Sequence, residues 1–272
     1  MSEWRIIEDG SGEADWNMAV DEAIVESCRR ELAPPTLRFY TWSRPALTIG
    51  YFQKVERDMD PDACRKGGVP IVRRITGGRA VLHGNDLTYS VASGVHTTEL
   101  PNTIQGAFFE IGRGLIEGLH RMGLEADAVR APSKETGRSP ICFMSTSWYE
   151  ITCSGRKMIG SAQRRWKDGM LQQGSLLFGF DPDAYYKLFR VPEESRREQI
   201  IQESRRRIAC LDDLLPIRAS PGTVAKHIAA GFEKALGITL KSAGLTPLEH
   251  ERAEQLYRIK YSIDSWNRLR LF

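Results

Sequence analysis

Three β-rich segments separated by two tight turns constrain the fold most. SWYEITCSG, RKMIGSAQRRW and GMLQQGSLLFGF follow one another, with turns near Ser154-Gly155 and Lys167-Asp168-Gly169. Strands joined by connections this short pair antiparallel with their neighbours in sequence. The sequence therefore predicts an antiparallel meander between residues 147 and 180.

Further strands are predicted before this meander, and most helices after it. The earlier strand segments are WRIIED, TLRFYTW, ALTIGYF, VPIVRR, RAVLH and DLTYSVA, the last two joined by a turn at Gly84-Asn85. Early helices are expected over about 15–30, capped by Asp15, and over 102–124, where one apolar stripe recurs at steps of three and four. Later helices are expected over about 182–189, 195–207, 220–236 and 246–260.

This order of elements predicts an α+β fold with a mixed, largely antiparallel sheet flanked by helices. A change of composition lies near residues 208–220. We therefore expect a main domain over 1–215 and a helical C-terminal part over 216–272, packed on the same domain.

Charge and cysteine usage exclude several classes of protein. The net charge is +3 over 272 residues, and no basic run is interleaved with aromatic residues, so nucleic-acid binding is not indicated. The five cysteines are odd in number and irregularly spaced, which favours neither a disulfide framework nor a zinc site. The segment MSEWRIIEDG does not resemble a secretory signal, and no apolar run could span a membrane. These features predict a cytoplasmic protein.

The stretch VRRITGGRAVLH, from Val72 to His83, has the composition of a ligand-binding turn. Glycines allow backbone N–H groups to approach a ligand closely, and the flanking arginines supply positive charge. The alternative is a Gly-Gly hairpin with solvated arginines. His83 ends its strand and is a candidate base or positioning group, or else a structural histidine.

Lys157 lies in GRKMIGSAQRR, a predicted strand. Alternation along a strand places it on one face with Ile159 and Ser161, beside apolar neighbours. An ammonium in such a place can stabilise an oxyanion or a substrate carbonyl. The alternative is a surface lysine whose stem packs on the strand.

Cys142 lies in a polar loop just ahead of the meander, in RSPICFMSTSWYE. It precedes Lys157 by fifteen residues (157 − 142), a separation that a loop and one hairpin can close. A thiol reacts as the thiolate, so a neighbouring ammonium would activate it. The alternative is an inert, space-filling cysteine.

Several segments together resemble the superfamily of lipoate ligases, octanoyltransferases and biotin protein ligases. The matching segments are WNMAVDEAI, RRITGGRAVLHGNDLTYSV, GRKMIGSAQRR, LQQGSLLFGFDP and KYSIDSWN. They occur in the superfamily's order and span nearly the whole chain. The resemblance implies a catalytic acyltransferase domain whose mixed sheet is similar to the core of class II synthetases and biotin ligases.

Within the superfamily, the sequence is most similar to the octanoyltransferases often called LipM. ATP-dependent lipoate ligases typically have the pattern RRxSGGGxVxHDxGN. In this chain Arg79 stands at the position of the third glycine, and Gly84 stands at the position of the acidic residue after the histidine. The other octanoyltransferase branch has its cysteine downstream of the lysine motif, in the region where this chain has GMLQQGSLLFGF, which holds no cysteine. The LipM group has CFxxPSWYE before GRKxxGSAQ, and this chain has CFMSTSWYE and GRKMIGSAQ, departing at Ser145-Thr146.

The resemblance implies that Cys142 is the nucleophile and Lys157 the lysine that stabilises the acyl carbonyl. It also implies transfer of an octanoyl group from acyl carrier protein to a lysine of a lipoyl domain, such as glycine cleavage H protein, with no metal or redox cofactor. Expected substrate-binding residues are Arg74, Thr76, Gly77, Gly78, Arg79, Ala80, His83, Gly160, Ser161 and Ala162. The alternatives are an octanoyl amidotransferase between lipoyl domains, an ATP-dependent lipoate–protein ligase and a non-catalytic binding protein.

Overall fold

The computed structural model describes residues 1–129, 150–190 and 194–271. Its strands are β1 (Glu3–Gly12), β2 (Thr36–Trp42), β3 (Ala46–Ile49), β4 (Ile71–Arg73), β5 (Val81–His83), β6 (Asp86–Gly94), β7 (Ala126–Ala128), β8 (Ile151–Cys153), β9 (Arg156–Trp166), β10 (Gly169–Leu177) and β11 (Thr239–Ser242). Its helices are α1 (Ala14–Arg29), α2 (Val55–Asp58), α3 (Pro61–Lys66), α4 (Ile104–Arg121), α5 (Pro182–Tyr186), α6 (Glu194–Arg207), α7 (Leu211–Leu214), α8 (Pro221–Leu236), α9 (Pro247–Leu256) and α10 (Asp264–Asn267). A π-helical turn, Tyr257–Tyr261, connects α9 to α10.

The described strands form two sheets. The larger sheet has the order β11-β1-β2-β6-β10-β9-β8-β7, and the smaller sheet has the order β4-β3-β5. In the larger sheet β1 is parallel to β2 and to β11, while the other neighbours are antiparallel. The predicted α+β class with a mixed, largely antiparallel sheet is confirmed, as is the meander of β8, β9 and β10.

Helices cover both faces of the larger sheet. Residues of α4 and α8 form one apolar core with one face of the sheet, and α1 packs with α9 in a second core on the opposite face. The smaller sheet lies on the α1 side, since Val72 and Ile75 share the second core with that helix. A space between the two sheets is therefore bordered by α1.

Two short turns carry the chain from one sheet to the other, one over residues 43–45 between β2 and β3 and one at Gly84-Asn85 between β5 and β6. β5 and β6 are joined at Gly84-Asn85 as predicted, but β5 pairs with β3 whereas β6 pairs with β2 and β10. Gly84 has φ +131°, and a Cβ there would lie 3.1 Å from Cα of Pro45. Glycine therefore fits this crossing, which places His83 in one sheet and Asp86 in the other.

Two local expectations are wrong. The region after residue 182 is not purely helical, because Thr239–Ser242 is a strand that pairs parallel with β1. Four residues carry too weak a periodic signal to be recognised, and pairing with β1 decides their conformation. Helix α1 is capped by position Glu13, without a side-chain hydrogen bond, and Asp15 lies inside the first turn. The division at residues 215 and 216 stays a prediction.

Within the described residues, no helix combines the length and the apolar character needed to cross a membrane.

The crossing of α4 and α8 depends on facing glycines. A Cβ on Gly231 would lie 2.3 Å from the backbone nitrogen of Gly118, and one on Gly118 would lie 2.6 Å from Cα of Ile228. The two helix backbones therefore approach more closely than any larger residue permits.

We predict that Gly231→Ala lowers the free energy of unfolding by about 1–3 kcal/mol because the added methyl group overpacks this crossing. Chemical denaturation measures the change. Gly222→Ala in the same helix is the matched control, because a Cβ there meets nothing within 4 Å. The control should be neutral or slightly stabilising, and equal losses in both variants would contradict the packing argument.

Candidate functional site

A cleft between the two sheets contains much of the predicted site. Its cavity volume is about 30 Å³, so the cleft is narrow in this structure. Five of the residues expected to bind substrate line it: Arg74, His83, Gly160, Ser161 and Ala162. Other lining residues come from α1, the larger sheet and the smaller sheet, namely Met18, Tyr40, Trp42, Thr48, Val81, Thr88, Gln173, Gly174 and Ser175. Apolar and aromatic walls with a few polar groups suit an acyl chain that ends in a carbonyl.

The Thr-Gly-Gly turn is held by the guanidinium of Arg74. This group donates to the carbonyl oxygens of Gly77 at 2.9 Å, Arg79 at 2.7 Å and Thr48 at 3.3 Å. Arg74 is 6% exposed. The alternative of solvated arginines is therefore wrong for Arg74, whose positive charge fixes backbone at the cleft.

Arg73, the arginine before it, is also buried. Its guanidinium donates to backbone carbonyls of residues 50, 51, 53, 266 and 268, which ties the C-terminal segment to the turn region. Burial, reinforced by the charge of Arg270, lowers the pKa of Arg73 to about 10. Arg73 therefore has a structural role. The strands on either side of the turn, β4 and β5, both pair with β3 rather than with each other, so the turn does not close a hairpin.

The remaining residues of this motif have different surroundings. Thr76 is fully buried and donates its hydroxyl to Oε1 of Gln173 at 2.8 Å. Gly77 and Gly78 form the partly exposed tip of the turn, where Gly78 has φ +83°. Ala80 packs in an apolar cluster with Tyr185, whose hydroxyl donates to its carbonyl oxygen, and does not line the cleft. The substrate-binding roles of these residues stay predictions.

His83 connects the two sheets. Its Nε2 lies 2.9 Å from Oγ1 of Thr48, its Nδ1 lies 2.8 Å from Oδ2 of Asp86, and its ring stacks on Trp42 with centroids 3.9 Å apart. Thr48 Oγ1 also accepts from Arg74, and Nδ1 of His83 carries a hydrogen because the carboxylate oxygen of Asp86 can only accept. The geometry makes His83 a fixed part of the cleft wall.

Asp86 is fully supplied with donors. Its Oδ2 accepts from Thr88 at 2.9 Å and Ser175 at 2.6 Å as well as from His83, while Oδ1 accepts from the backbone of Gly84 at 3.0 Å. Burial alone would raise the pKa of Asp86. The His83 ring and the hydrogen bonds outweigh burial, so the pKa of Asp86 lies below its ordinary value.

A second buried carboxylate, Asp21 of α1, holds further lining residues of the cleft in place. Its Oδ2 accepts from Tyr40 at 2.9 Å and from Nε2 of Gln173 at 2.6 Å, and its Oδ1 pairs with Arg38 at 2.8 Å. These bonds orient the amide of Gln173 so that its oxygen faces Thr76. Asp21 therefore links α1 through the larger sheet to the Thr-Gly-Gly turn.

Lys157 is placed by a β-bulge in β9. The ladder pairs Thr152 with Lys157 and Ile151 with Ile159, which leaves Met158 as an extra residue on β9. Ile151, Met158 and Ile159 all pack in the core beside α4 and α8. Because Thr152 and Ile151 lie on opposite faces of β8, Lys157 projects away from that core.

The expectation that Lys157 shares a face with Ile159 and Ser161 is wrong, because the bulge resets the alternation along β9. Ser161 bonds Tyr89 on the core side, at 2.8 Å between hydroxyl oxygens, although it also borders the cleft. Lys157 lies instead on the face that carries Gly160 and Ala162. Three residues of strand span about 10 Å, so Lys157 lies along the strand just beyond the cleft wall.

A carboxylate meets the buried lysine. Nζ of Lys157 donates to Oε1 of Glu150 at 2.6 Å, and the two side chains are only 4% and 7% exposed. The alternative of a surface lysine is therefore wrong. Ile208 forms a β-bridge with Lys157 and shares an apolar cluster with Val81 of the cleft wall, which connects the ion pair to this end of the cleft.

Cys142 lies outside the described residues, whereas the four cysteines that the structure describes are all buried. Burial raises the pKa of Cys28 to about 12, of Cys64 to about 11 and of Cys210 to about 12. Cys153 packs in the core beside α4. A thiolate is thus disfavoured at the three positions with a raised pKa, and none of the four thiols is accessible to a large substrate.

Comparison with known proteins identifies the family. Residues 13–233 match the lipoyl protein ligase A/B catalytic domain. The chain belongs to this family. Curated relatives include proteins named octanoyltransferase LipM from Anoxybacillus flavithermus, 40% identical with 97% of each chain covered, and from Bacillus subtilis, 36% identical with 97% of each chain covered. The resemblance to this family and to its LipM members, inferred from motifs, is confirmed.

Solved structures of the same family have the same fold. A bipartite lipoate protein ligase from Thermoplasma acidophilum superposes with a TM-score of 0.82 at 27% identity, covering 98% of this chain and 97% of that one. A lipoate-protein ligase A bound with ATP superposes with a TM-score of 0.81 at 27% identity, covering 98% of each chain. The fold alone therefore does not separate ligases from transferases.

Sequence reasoning missed several residues of the site. Asp21 and Met18 lie in WNMAVDEAI, Asp86 in DLTYSV, and Glu150 ends SWYE, all segments that carry the family resemblance. The signal was therefore present, but no spacing rule indicates that Glu150 meets Lys157 or that Asp86 meets His83. Those contacts depend on strand register and on the crossing between sheets.

We predict that Asp86→Asn lowers the free energy of unfolding at pH 7 by about 1–3 kcal/mol, because an amide cannot accept all of these hydrogen bonds. The pKa of Asp86 is lower in the folded state than in the unfolded state. The stabilisation that the ionised carboxylate gives to the fold is therefore complete above the pKa of the unfolded state. It is lost as pH falls through the folded value. The gap between wild type and variant should therefore shrink below about pH 4. Denaturation curves at several pH values measure it.

Asp15→Asn is the control of opposite sign. Burial raises the pKa of Asp15, so its ionised form disfavours folding at neutral pH. The substitution should stabilise the protein at pH 7, and that gain should disappear as pH falls through the raised pKa. A gap for Asp86→Asn that stays constant down to pH 3 would contradict the assigned ionisation.

Proposed function

We propose that this protein is an octanoyltransferase of lipoate biosynthesis. It takes an octanoyl group from acyl carrier protein as a thioester on Cys142 and passes it to a lysine of a lipoyl domain, such as glycine cleavage H protein. Full-length relatives at 35–40% identity carry the name octanoyltransferase LipM, and the chain has that group's order of cysteine and lysine motifs. A cytoplasmic location is part of the proposal.

The observation that carries the proposal is the buried ammonium of Lys157 on the cleft face of β9. A positive charge held in a water-poor place is suited to stabilise negative charge on a carbonyl oxygen. Fifteen residues before Lys157 the sequence has Cys142, the one cysteine that lies outside the described residues. An acyl chain in the cleft would point its carbonyl toward Lys157.

The chemistry balances without nucleotide. The thiol of Cys142 gives up its proton and attacks the thioester carbonyl of the donor as the thiolate, and that proton leaves with the donor's thiol. The acceptor amine then attacks the new thioester, an amide forms, and the amine's proton returns to the Cys142 sulfur. The first exchange is nearly isoenergetic, and aminolysis of a thioester is downhill, so the sequence of steps needs no ATP.

The rival functions differ in what they require. An amidotransferase whose nucleophile follows Lys157 in the sequence needs Cys210, the only cysteine there. Cys210 is 4% exposed, and burial raises the pKa of its thiol to about 12. That environment disfavours nucleophilic attack. An ATP-dependent ligase would share the fold of the solved ligases, but Arg79 stands where ligases have a glycine. An arginine side chain at this position would fill space that a glycine leaves open for a phosphate.

We predict that incubation with octanoyl–acyl carrier protein, without nucleotide, adds one octanoyl group to the protein at Cys142. Intact-mass and peptide mass spectrometry locate the adduct, and addition of an apo lipoyl domain should discharge it. Cys142→Ala should abolish the adduct. Cys210→Ala is the matched control, and it should acylate and discharge at the wild-type rate.

Strict dependence on ATP and free lipoate would establish the ligase instead. Acylation from an octanoylated lipoyl domain, but not from octanoyl–acyl carrier protein, would establish the amidotransferase. Full activity of Cys142→Ala would overturn the thioester route altogether.

A further inference from the structure

Glu150 occupies a fixed position at the start of β8. Its backbone carbonyl accepts a hydrogen bond from the nitrogen of Val129 at 2.9 Å, which extends the pairing of β7 with β8 by one step. The side chain is 7% exposed. The carboxylate therefore lies on a paired strand end and is oriented by the sheet.

The bulge in β9 places the ammonium of Lys157 in a buried position where it needs a negatively charged partner. By turning Lys157 away from the α4 and α8 core, it places the ammonium at the cleft face, yet leaves it only 4% exposed. A buried charge without a counter-ion is strongly unfavourable, whereas a short charge-assisted hydrogen bond offsets much of that cost. Oε1 of Glu150, 2.6 Å from Nζ, supplies this bond.

We infer that Glu150 is a positioning residue that holds the ammonium of Lys157 in the place where it meets the acyl carbonyl. This inference rests on the proposed function, in which Lys157 stabilises that carbonyl. An ammonium has three donors, so binding Glu150 is compatible with binding a substrate oxygen. Glu150 acts through Lys157 and does not itself touch the reacting atoms.

The inference has a direct competitor, in which Glu150 accepts the proton of the acceptor amine. The two roles differ in their dependence on Lys157. A positioning residue has no effect once the lysine is gone, whereas a proton acceptor still matters. A double-mutant cycle with Lys157→Met therefore separates them.

The experiment measures single-turnover octanoyl transfer from octanoyl–acyl carrier protein to an apo lipoyl domain, with thermal unfolding of every variant. Loss of one electrostatic contact at a carbonyl typically slows a reaction about 10²–10³-fold, which we expect for Lys157→Met. Glu150→Gln should lower the maximal rate about 10-fold or more by the same reasoning, with little change in KM. Glu150→Asp should restore part of the rate.

Glu249→Gln is the matched control for breaking a buried ion pair. Glu249 meets Arg5 of β1 at 2.6 Å, with side chains 1% and 5% exposed, away from the cleft. This variant should be less stable than wild type but transfer octanoyl at nearly the wild-type rate. If Glu150→Gln loses the same amount of stability as Glu249→Gln but transfers octanoyl more slowly, its slower rate does not come from the loss of stability.

In the Lys157→Met background, Glu150→Gln should cause no further loss of rate. A further loss there, or a wild-type rate for Glu150→Gln alone, would overturn the positioning role while leaving the proposed function intact. A wild-type protein that neither forms the Cys142 adduct nor transfers octanoyl would overturn the proposed function and this inference together.

Discussion

A buried ammonium needs a carboxylate, and the pair of Lys157 and Glu150 meets this need at the end of the cleft. One extra residue in β9 makes the arrangement compatible with a well-packed sheet. Met158 and Ile159 both enter the core, and the strand then presents Lys157 to the opposite face. Without the bulge, strict alternation would direct the lysine into the apolar core beside α4 and α8.

The cleft itself depends on chain crossings between two sheets. At Gly84-Asn85 the chain leaves the smaller sheet and enters the larger one, so His83 and Asp86 form a hydrogen bond across the boundary. Asp21 of α1 also links parts of the cleft wall, because it orients Gln173, whose Oε1 accepts a hydrogen bond from the hydroxyl of Thr76. Two buried carboxylates thus hold lining residues of the cleft in place, although neither of them lines the cleft itself.

Much of this architecture follows from the sequence, and the limits have physical causes. The meander of β8, β9 and β10 was predictable because short turns leave no other pairing, and α4 because its apolar stripe is long. The strand Thr239–Ser242 was missed because its conformation comes from pairing with β1. The predicted face of Lys157 was wrong because a bulge depends on the register between two strands. The pattern of residues in one strand does not contain that information. The roles of Cys142 and Lys157 came from resemblance, since neither composition nor spacing assigns a nucleophile.

The most direct test is the carbonyl stretching frequency of the octanoyl group on the protein. The measurement is isotope-edited infrared spectroscopy after loading with octanoyl–acyl carrier protein labelled with ¹³C at the carbonyl. An ammonium bonded to the thioester oxygen weakens the C=O bond, so the band of the wild-type adduct should lie below that of a free thioester. The shift should disappear in Lys157→Met. The same frequency in both proteins would show that Lys157 does not meet the carbonyl and would contradict the role of the ion pair.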